Sequence, residues 1–533
     1  MKRGIIVLPF LWVLICLLSC SKEKQSFAVI SKTELNDKIK GAWAGKMIGV
    51  MKGIGMEFKA ASVTYEDSII WYPEMIERAL LEDDIYGQLS FMSSMVRNQG
   101  LQTPVSKLAE DFANAEFNLC HANLQARKNF FDGIMPPLSG APAYNMHAND
   151  IDFQIESDYI GFINPGMPRA ATLMADSVGR IMAYGDGLYG GMFVSAMHAL
   201  AFFEKDAKVV VKKALQAIPS ESQYAKAIQT VIDGYEQDPS NWRSTWQILQ
   251  DRWGESDLCV PYHPFNIDAT INGAYIAMGL LYGENNMEKT IEIAIRCGQD
   301  TDCNAANAAA VLGIIQGYEA IDEELKSHIP EMADKPFLYT DISFNKAVSL
   351  TQSFAEENIL TNGGNLEDDI YRVKLQPLLF SGQLEQAFPN MSMSHFIQMS
   401  DTDLYRIEGN WEDFRYGEGD NDLYKVSTTP GDIFEVEFSG SGISVLGSYN
   451  IDGGTAMAYI DGEPFREFNC YHRTEAGKWN GNRQHIIHKM DLAEGDHTLR
   501  IVVSDKKEEA STGHKIYIER VIVYKDTTLS ASK

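Results

Sequence analysis

From Ser31 to about Tyr318 apolar residues recur three and four positions apart, in Ala-, Leu- and Met-rich segments broken by Gly and Pro. That period belongs to helices that bury one face. It predicts helices over 74–96, 170–183, 190–203, 225–235, 271–281 and 304–318. From about Tyr405 the period changes. Phe434-Glu435-Val436-Glu437-Phe438, and then 456–460 and 498–503, read as strands bounded by Gly, Asp or Asn turns. An all-α domain followed by an all-β jelly-roll or sandwich domain is the simplest assembly. The connection, 319–403, shows no pattern of its own.

The chain's 533 residues exceed what one hydrophobic core serves, in keeping with two domains. A formal charge of −27, with no Lys/Arg run, argues against a nucleic acid duplex as partner. At the start, Lys2 and Arg3 precede an apolar run, Gly4 to Leu18, too short for a stable membrane span. Leu17-Leu18-Ser19-Cys20 closes it and resembles a bacterial lipobox, which makes Cys20 the expected lipidated residue and the cell envelope the expected location, with membrane contact through the lipid alone. The expected organisation is a signal peptide over 1–20, a tether over 21–30, an all-α catalytic domain with a C-terminal extension over 31–385, and a β-sandwich over 400–526. Five cysteines follow the signal: Cys120, Cys259, Cys297, Cys303 and Cys470. They have neither CxxC spacing nor an even count, so buried thiols are expected rather than disulfides.

The hexapeptide LEDDIY occurs twice, at Leu81 to Tyr86 and at Leu366 to Tyr371. The first copy lies in the helical pattern over 74–96, with Asp83 seven residues after Ile76 and four after Ala79, on the apolar side. A carboxylate there needs a cation or a hydrogen-bonded partner. The second copy follows Asn362-Gly363-Gly364 and leads into alternating polar and apolar residues, a solvated strand or loop edge. Context therefore selects Asp83 and Asp84 over Asp368 and Asp369. Far downstream, Asp300 and Asp302 open an Ala-rich helix, where helix capping alone accounts for acids. Together the two pairs offer four hard oxygen ligands on two helices, suited to Mg²⁺ or a similar cation.

In these segments the chain resembles the ADP-ribosylglycohydrolase family. The opening glycine-rich pattern of that family lies over Gly41 to Phe58, its T-D-D-T helix over Glu82-Asp83-Asp84-Ile85, and its closing G-x-D-[TS]-D-[TS]-x-A-A motif over Gly298 to Ala306. A weaker central match sets Asn164, Arg169 and Asp186 on substrate-binding positions. The resemblance implies an all-α domain that holds one or two Mg²⁺ ions through Asp83, Asp84, Asp300 and Asp302, with Glu82 and Cys303 at further ligand positions. It implies hydrolysis of an N- or O-glycosidic bond in a ribosyl or furanosyl substrate. Glu57 matches the family's loop glutamate, which handles the proton or water, and Asp84 and Asp300 join it as catalytic candidates. Departures are Val50 for an aspartate, Glu82 for a threonine, Tyr184 for a histidine, and Cys303 for a Ser/Thr ligand, a thiol being a poor partner for Mg²⁺.

The sequence leaves two alternatives open: an extracellular glycosidase acting on a glycan or nucleoside furanoside, and a non-catalytic sugar-binding lipoprotein. Trp411, Tyr449, Tyr471 and Trp479 are the candidate sugar-stacking aromatics of the sandwich. Asp150, Asp152, Glu156 and Asp158 read as a solvated loop in preference to a cleft wall. His485 and His488, three apart on a strand, are expected on opposite faces and at the surface.

Overall fold

Four glycines spaced by four, Gly41, Gly45, Gly49 and Gly53, share one face of the helix Lys32–Gly53. In the computed structural model, which describes residues 26–416, 422–473 and 481–528, that face lies against the Ala-rich helix Thr301–Gln316. A Cβ at Gly41 would stand 2.2 Å from the Gly313 carbonyl oxygen; at Gly49 it would stand 2.4 Å from Ala306 Cα, and at Gly53 2.4 Å from Asp302 Cα. As one number rises the other falls, so the helices run antiparallel with their backbones in contact. The end of the first helix is thereby fixed beside the start of the second. Around this pair pack helices that are apolar almost all round, among them Asp186–Ala201 and Ala269–Tyr282.

The expected helix over 74–96 is two elements. A 3₁₀ segment, Pro73–Leu81, ends at Glu82, whose extended backbone (φ −89°, ψ 137°) starts the helix Asp83–Arg97. Asp83 and Asp84 therefore sit in a first helical turn, not partway along an apolar stripe. The second hexapeptide is a hairpin: Asn365–Glu367 and Ile370–Lys374 are joined by Asp368 and Asp369 at positive φ, both exposed. Phe27–Ser31 pairs antiparallel with Ile370–Lys374, so the segment expected as a tether carries a strand from Phe27 on. Signal residues 1–20, with Cys20, lie outside the described residues, as does Trp479. No helix among the described residues is long and apolar enough to cross a membrane.

An all-helical domain followed by antiparallel sheets is the architecture observed. The connection contains the helix Phe344–Thr361 and the hairpin, then runs along the helical domain, with Phe380 N donating to Gln216 O (2.8 Å) and Glu385 N to Tyr189 Oη (2.7 Å). The sandwich opens with Met391–Gln398, ahead of 400, paired with the long strand Ile516–Asp526. One sheet orders Glu463–Asn469, Thr455–Ile460, Gly495–Val503, Ile433–Gly440 and Arg406–Glu408. In the other, Asn482–Lys489 and Gly442–Ser448 lie to one side of Ile516–Asp526, with Tyr424–Ser427 and Glu412–Phe414 to the other.

The sandwich is docked on the helical domain. His485 and His488 are both buried and both face it: a register shift between His485 and Ile487 sets them opposite Leu446 and Ser444, two residues apart and hence on one face. His488 Nε2 meets Pro142 O at 2.7 Å and His485 Nε2 meets Cys259 O at 3.1 Å. Tyr524 donates to Leu258 O (2.6 Å). Tyr449, expected exposed, is buried at the same interface and donates to Gln125 Oε1 (3.0 Å).

Candidate active site

Both acid pairs sit in first helical turns, where the unpaired backbone N–H groups and the helix dipole favour negative charge. Asp84 and Asp302 are buried at the second positions of Asp83–Arg97 and Thr301–Gln316. Asp300 is the N-cap of its helix and accepts from Cys303 N at 3.4 Å, so the capping role is real. Its N–H is held by Asn272 Oδ1 at 3.4 Å. Glu57 arrives on the turn that follows Gly53. That turn is bound to the second helix start: Phe58 N donates to Gln299 O (2.9 Å) and Gln299 N to Ala60 O (3.2 Å). Gly298 (φ 85°) is required here, because a Cβ would stand 2.1 Å from Ala60 O.

These segments enclose a cavity of about 300 Å³. Glu57, Glu82, Asp83, Asp84, Asp152, Glu156, Asp300 and Asp302 line it, eight acids with no lysine or arginine among the lining residues. Carboxylates of Glu57, Asp300 and Asp302 approach within 4.8 Å of one another, and so do ligand atoms of Asp84, Asp302 and Cys303. Asp302 Oδ1 is buried with no hydrogen-bond partner among the described residues. Burial, then the charges of Asp300 and Asp84, pushes the Glu57 carboxyl up to about 8. Asp83 reaches water at the rim, yet desolvation and Asp84 push it up to about 6. Burial and Asp300 hold Asp302 well above the usual carboxylate range, and burial raises the Cys303 thiol. Such crowding of oxygen donors fits a hard divalent cation, with Asp302 common to both ligand groups. Glu82 lines the cavity and is paired with Arg78 at 3.6 Å.

The segment read as a solvated loop is buried. Asp152 accepts from Asn123 N (3.0 Å) and Glu156 from Asn123 Nδ2 (2.8 Å), both on the cavity wall; Asp150 and Asp158 are buried away from that lining. Lys46, fully buried, bonds Asp158 at 2.8 Å and Asp84 at 3.5 Å. Burial works to lower the Lys46 pKa, but Asp158 and Asp84 overcome it and hold the ammonium charged. Asn164, Arg169 and Asp186 are not brought to the acids. The Asn164 amide donates to Ile160 O (2.8 Å), Arg169 lines a separate cavity against the 378–385 segment, and Asp186 accepts from Tyr224 N (2.9 Å). Sequence reasoning missed Lys46, Asn123, Tyr86 and His121. Only Lys46 left a signal, a charge between the packing glycines Gly45 and Gly49.

The family model for ADP-ribosylglycohydrolase matches residues 31–356, more than half of the chain and all of these acids. The chain belongs to the ADP-ribosylglycohydrolase family. Membership implies a hydrolase, and ADP-ribosylglycohydrolases supply the frame in which the two acid pairs are read. An "ADP-ribosylglycohydrolase-related protein complex" is similar at 11% identity and TM-score 0.43, over 61% of this chain and 99% of its own. The sandwich is similar to a family 35 carbohydrate-binding module from Clostridium thermocellum (12% identity, 24% and 95% of the two chains, TM-score 0.19). It is also similar to a CBM36 module in complex with calcium and xylotriose (15%, 24% and 97%, TM-score 0.17). No curated protein matches the sequence.

Proposed function

We propose that this chain hydrolyses the N- or O-glycosidic bond of a furanosyl substrate, as the family's chemistry implies, and that the substrate is a neutral glycan or nucleoside furanoside rather than an ADP-ribosyl adduct. The carrying observation is the convergence of Glu57, Asp84, Asp300 and Asp302 on one cavity the size of a sugar. Asp84, Asp300 and Asp302, with Asp83 beside them, would hold Mg²⁺, which when bound supplies positive charge to orient sugar hydroxyls and offset charge at the breaking bond. Glu57, whose carboxyl burial and the charges of Asp300 and Asp84 push up to about 8 in the metal-free cavity, is the group beside these ligands that would handle the proton or the water. Asp152 and Glu156 are fixed by Asn123 as acceptors for sugar hydroxyls.

Against a diphosphate stands the charge of the lining, which offers it no lysine or arginine. A second cavity, of about 540 Å³, shares Cys120 and His121 with the first and is walled in part by the sandwich. It gives a glycan room to extend, and its arginines, Arg483 and Arg520, are already paired with Asp422 and Glu519. The same reading places the enzyme on the cell envelope through lipid on Cys20, tested by incorporation of labelled palmitate that C20A abolishes.

The decisive assay offers p-nitrophenyl furanosides, nucleosides and ADP-ribosyl-arginine to the purified chain, with Mg²⁺ and with chelator. Turnover of a neutral furanoside that chelator stops, with a roughly 10²–10⁴-fold lower kcat in E57Q, is expected. Turnover of ADP-ribosyl-arginine alone overturns the substrate assignment. Full activity in D302N overturns the site. Tight furanoside binding with no product from any substrate leaves a sugar-binding protein instead.

A further inference from the structure

Where the sandwich docks on the helical domain, a second cluster gathers that the proposed hydrolysis does not use. His147 and Cys259 come from two separated segments of the helical domain and His485 from the bulged strand Asn482–Lys489. One ligand atom from each lies within 4.8 Å of the others, and all three residues are buried. The donors are two imidazoles and a thiol. That set suits a borderline-soft transition metal, whereas the all-oxygen set around Asp302 suits a hard one.

The surroundings prepare the rings for this role. Asp150 Oδ2 lies 2.6 Å from His147 Nδ1, which fixes the ring and leaves Nε2 as the coordinating nitrogen, in the carboxylate–imidazole arrangement that supports metal sites. Ser444 Oγ lies 2.6 Å from His485 Nδ1. A hydroxyl accepts as readily as it donates, so Ser444 can accept a hydrogen bond from Nδ1–H while Nε2 turns from the Cys259 carbonyl, 3.1 Å away, to a metal. Cys259 Sγ is 3.2 Å from Met146 O and 3.9 Å from Asp150 Oδ1, and it would bind as the thiolate, releasing one proton to solvent.

We infer that His147, Cys259 and His485 form a transition-metal site, of the class that binds Zn²⁺, tying the sandwich to the helical domain. All three residues line the larger cavity, so a fourth coordination position faces it, open to water or a ligand.

The test is metal analysis of the untagged full chain after dialysis, followed by replacement with Co²⁺. About one equivalent of zinc is expected, and the cobalt form should show thiolate-to-metal charge transfer in the near ultraviolet with the intense visible bands of a four-coordinate site. C259S, nearly the same size, should lose the charge-transfer band and most of the metal, and H485Q should lose the metal. D302N, which alters the oxygen site, should keep both signals, which separates this inference from the hydrolytic reading. Wild-type chain that takes up neither zinc nor cobalt overturns it irrespective of how the variants fold. Cobalt bound without a charge-transfer band, or a band that survives in folded C259S, overturns it as well.

Discussion

Lys46 is the residue on which the acid cavity rests, because it is the cation beneath Asp84 and Asp158 in a space that water does not reach. Removing one member of a buried pair strands the other, at about 3–5 kcal/mol. K46M should therefore lose stability on that order in urea denaturation, and K46M/D158N should recover part of it, since the stranded charge at Asp158 is gone. A double variant as unstable as the single one would show that the packing of the lysine stem, not the ion pair, matters. The acids themselves make a prediction about pH. In the metal-free cavity the carboxyls of Glu57, Asp152 and Asp83 are pushed up to about 8, 7 and 6, in each case chiefly by burial. The folded chain thus holds protons that the unfolded chain has given up, so the contribution to stability is complete below about pH 4 and is lost as pH rises toward 8. In chelator the Tm should fall across that interval, and Mg²⁺ should flatten the fall; a Tm rising with pH in chelator would contradict the placement of these groups. Asp83 with Asp84, and Asp300 with Asp302, were legible in the sequence because each pair stands in one short motif beside a helical pattern, and Glu57 because it closes the glycine-rich pattern over Gly41 to Phe58. Asp152, Glu156 and Asp158 were not, since only packing against Asn123 and Lys46 distinguishes them from a solvated acidic loop.

The helix pair Lys32–Gly53 and Thr301–Gln316 converts a spacing of four into a position for the site. Were the backbones a side chain further apart, Gly53 would leave Asp302 and the Glu57 turn would leave Gln299. The glycines of one neighbourhood should therefore differ sharply in tolerance. G49A places a methyl 2.4 Å from Ala306 Cα, a backbone atom that cannot swing aside, and should cost about 1–3 kcal/mol or more with loss of metal-dependent Tm gain. G55A, two residues past Gly53, the last of these contacts, and with nothing within 4 Å of its added methyl, should be neutral or stabilising by up to about 1 kcal/mol. Thermal melts of the two variants with and without Mg²⁺ decide between this and a general intolerance of the segment. Periodicity disclosed that both regions are helical, and motif spacing disclosed that they belong together. It did not disclose the break at Glu82, because buried residues recur three and four apart both before it (Ile76, Ala79) and after it (Ile85, Leu89, Met92), nor the bulge that turns His485 and His488 to the same side, because a one-residue register shift leaves no mark on hydrophobic pattern.

At the scale of the whole molecule the sandwich is a wall of the cleft, which its place in the sequence, beyond the acid motifs, did not reveal. Asp422, Arg483, Gln484, His485 and Arg520 all reach the larger cavity, and that cavity meets the acid one at Cys120 and His121. On the proposed reading, a substrate that occupies only the acid cavity should be indifferent to these side chains, whereas a longer glycan that extends into the larger cavity would meet them. Arg483 is the residue to change, being half exposed and paired at the surface with Asp422, so that its loss costs little stability. R483A should raise KM for an oligosaccharide furanoside several-fold and leave KM and kcat for an aryl monofuranoside unchanged. Equal losses on both substrates would place the effect in the fold. No effect on either would mean that the glycan leaves the acid cavity by another route, and that the domains meet here for stability alone.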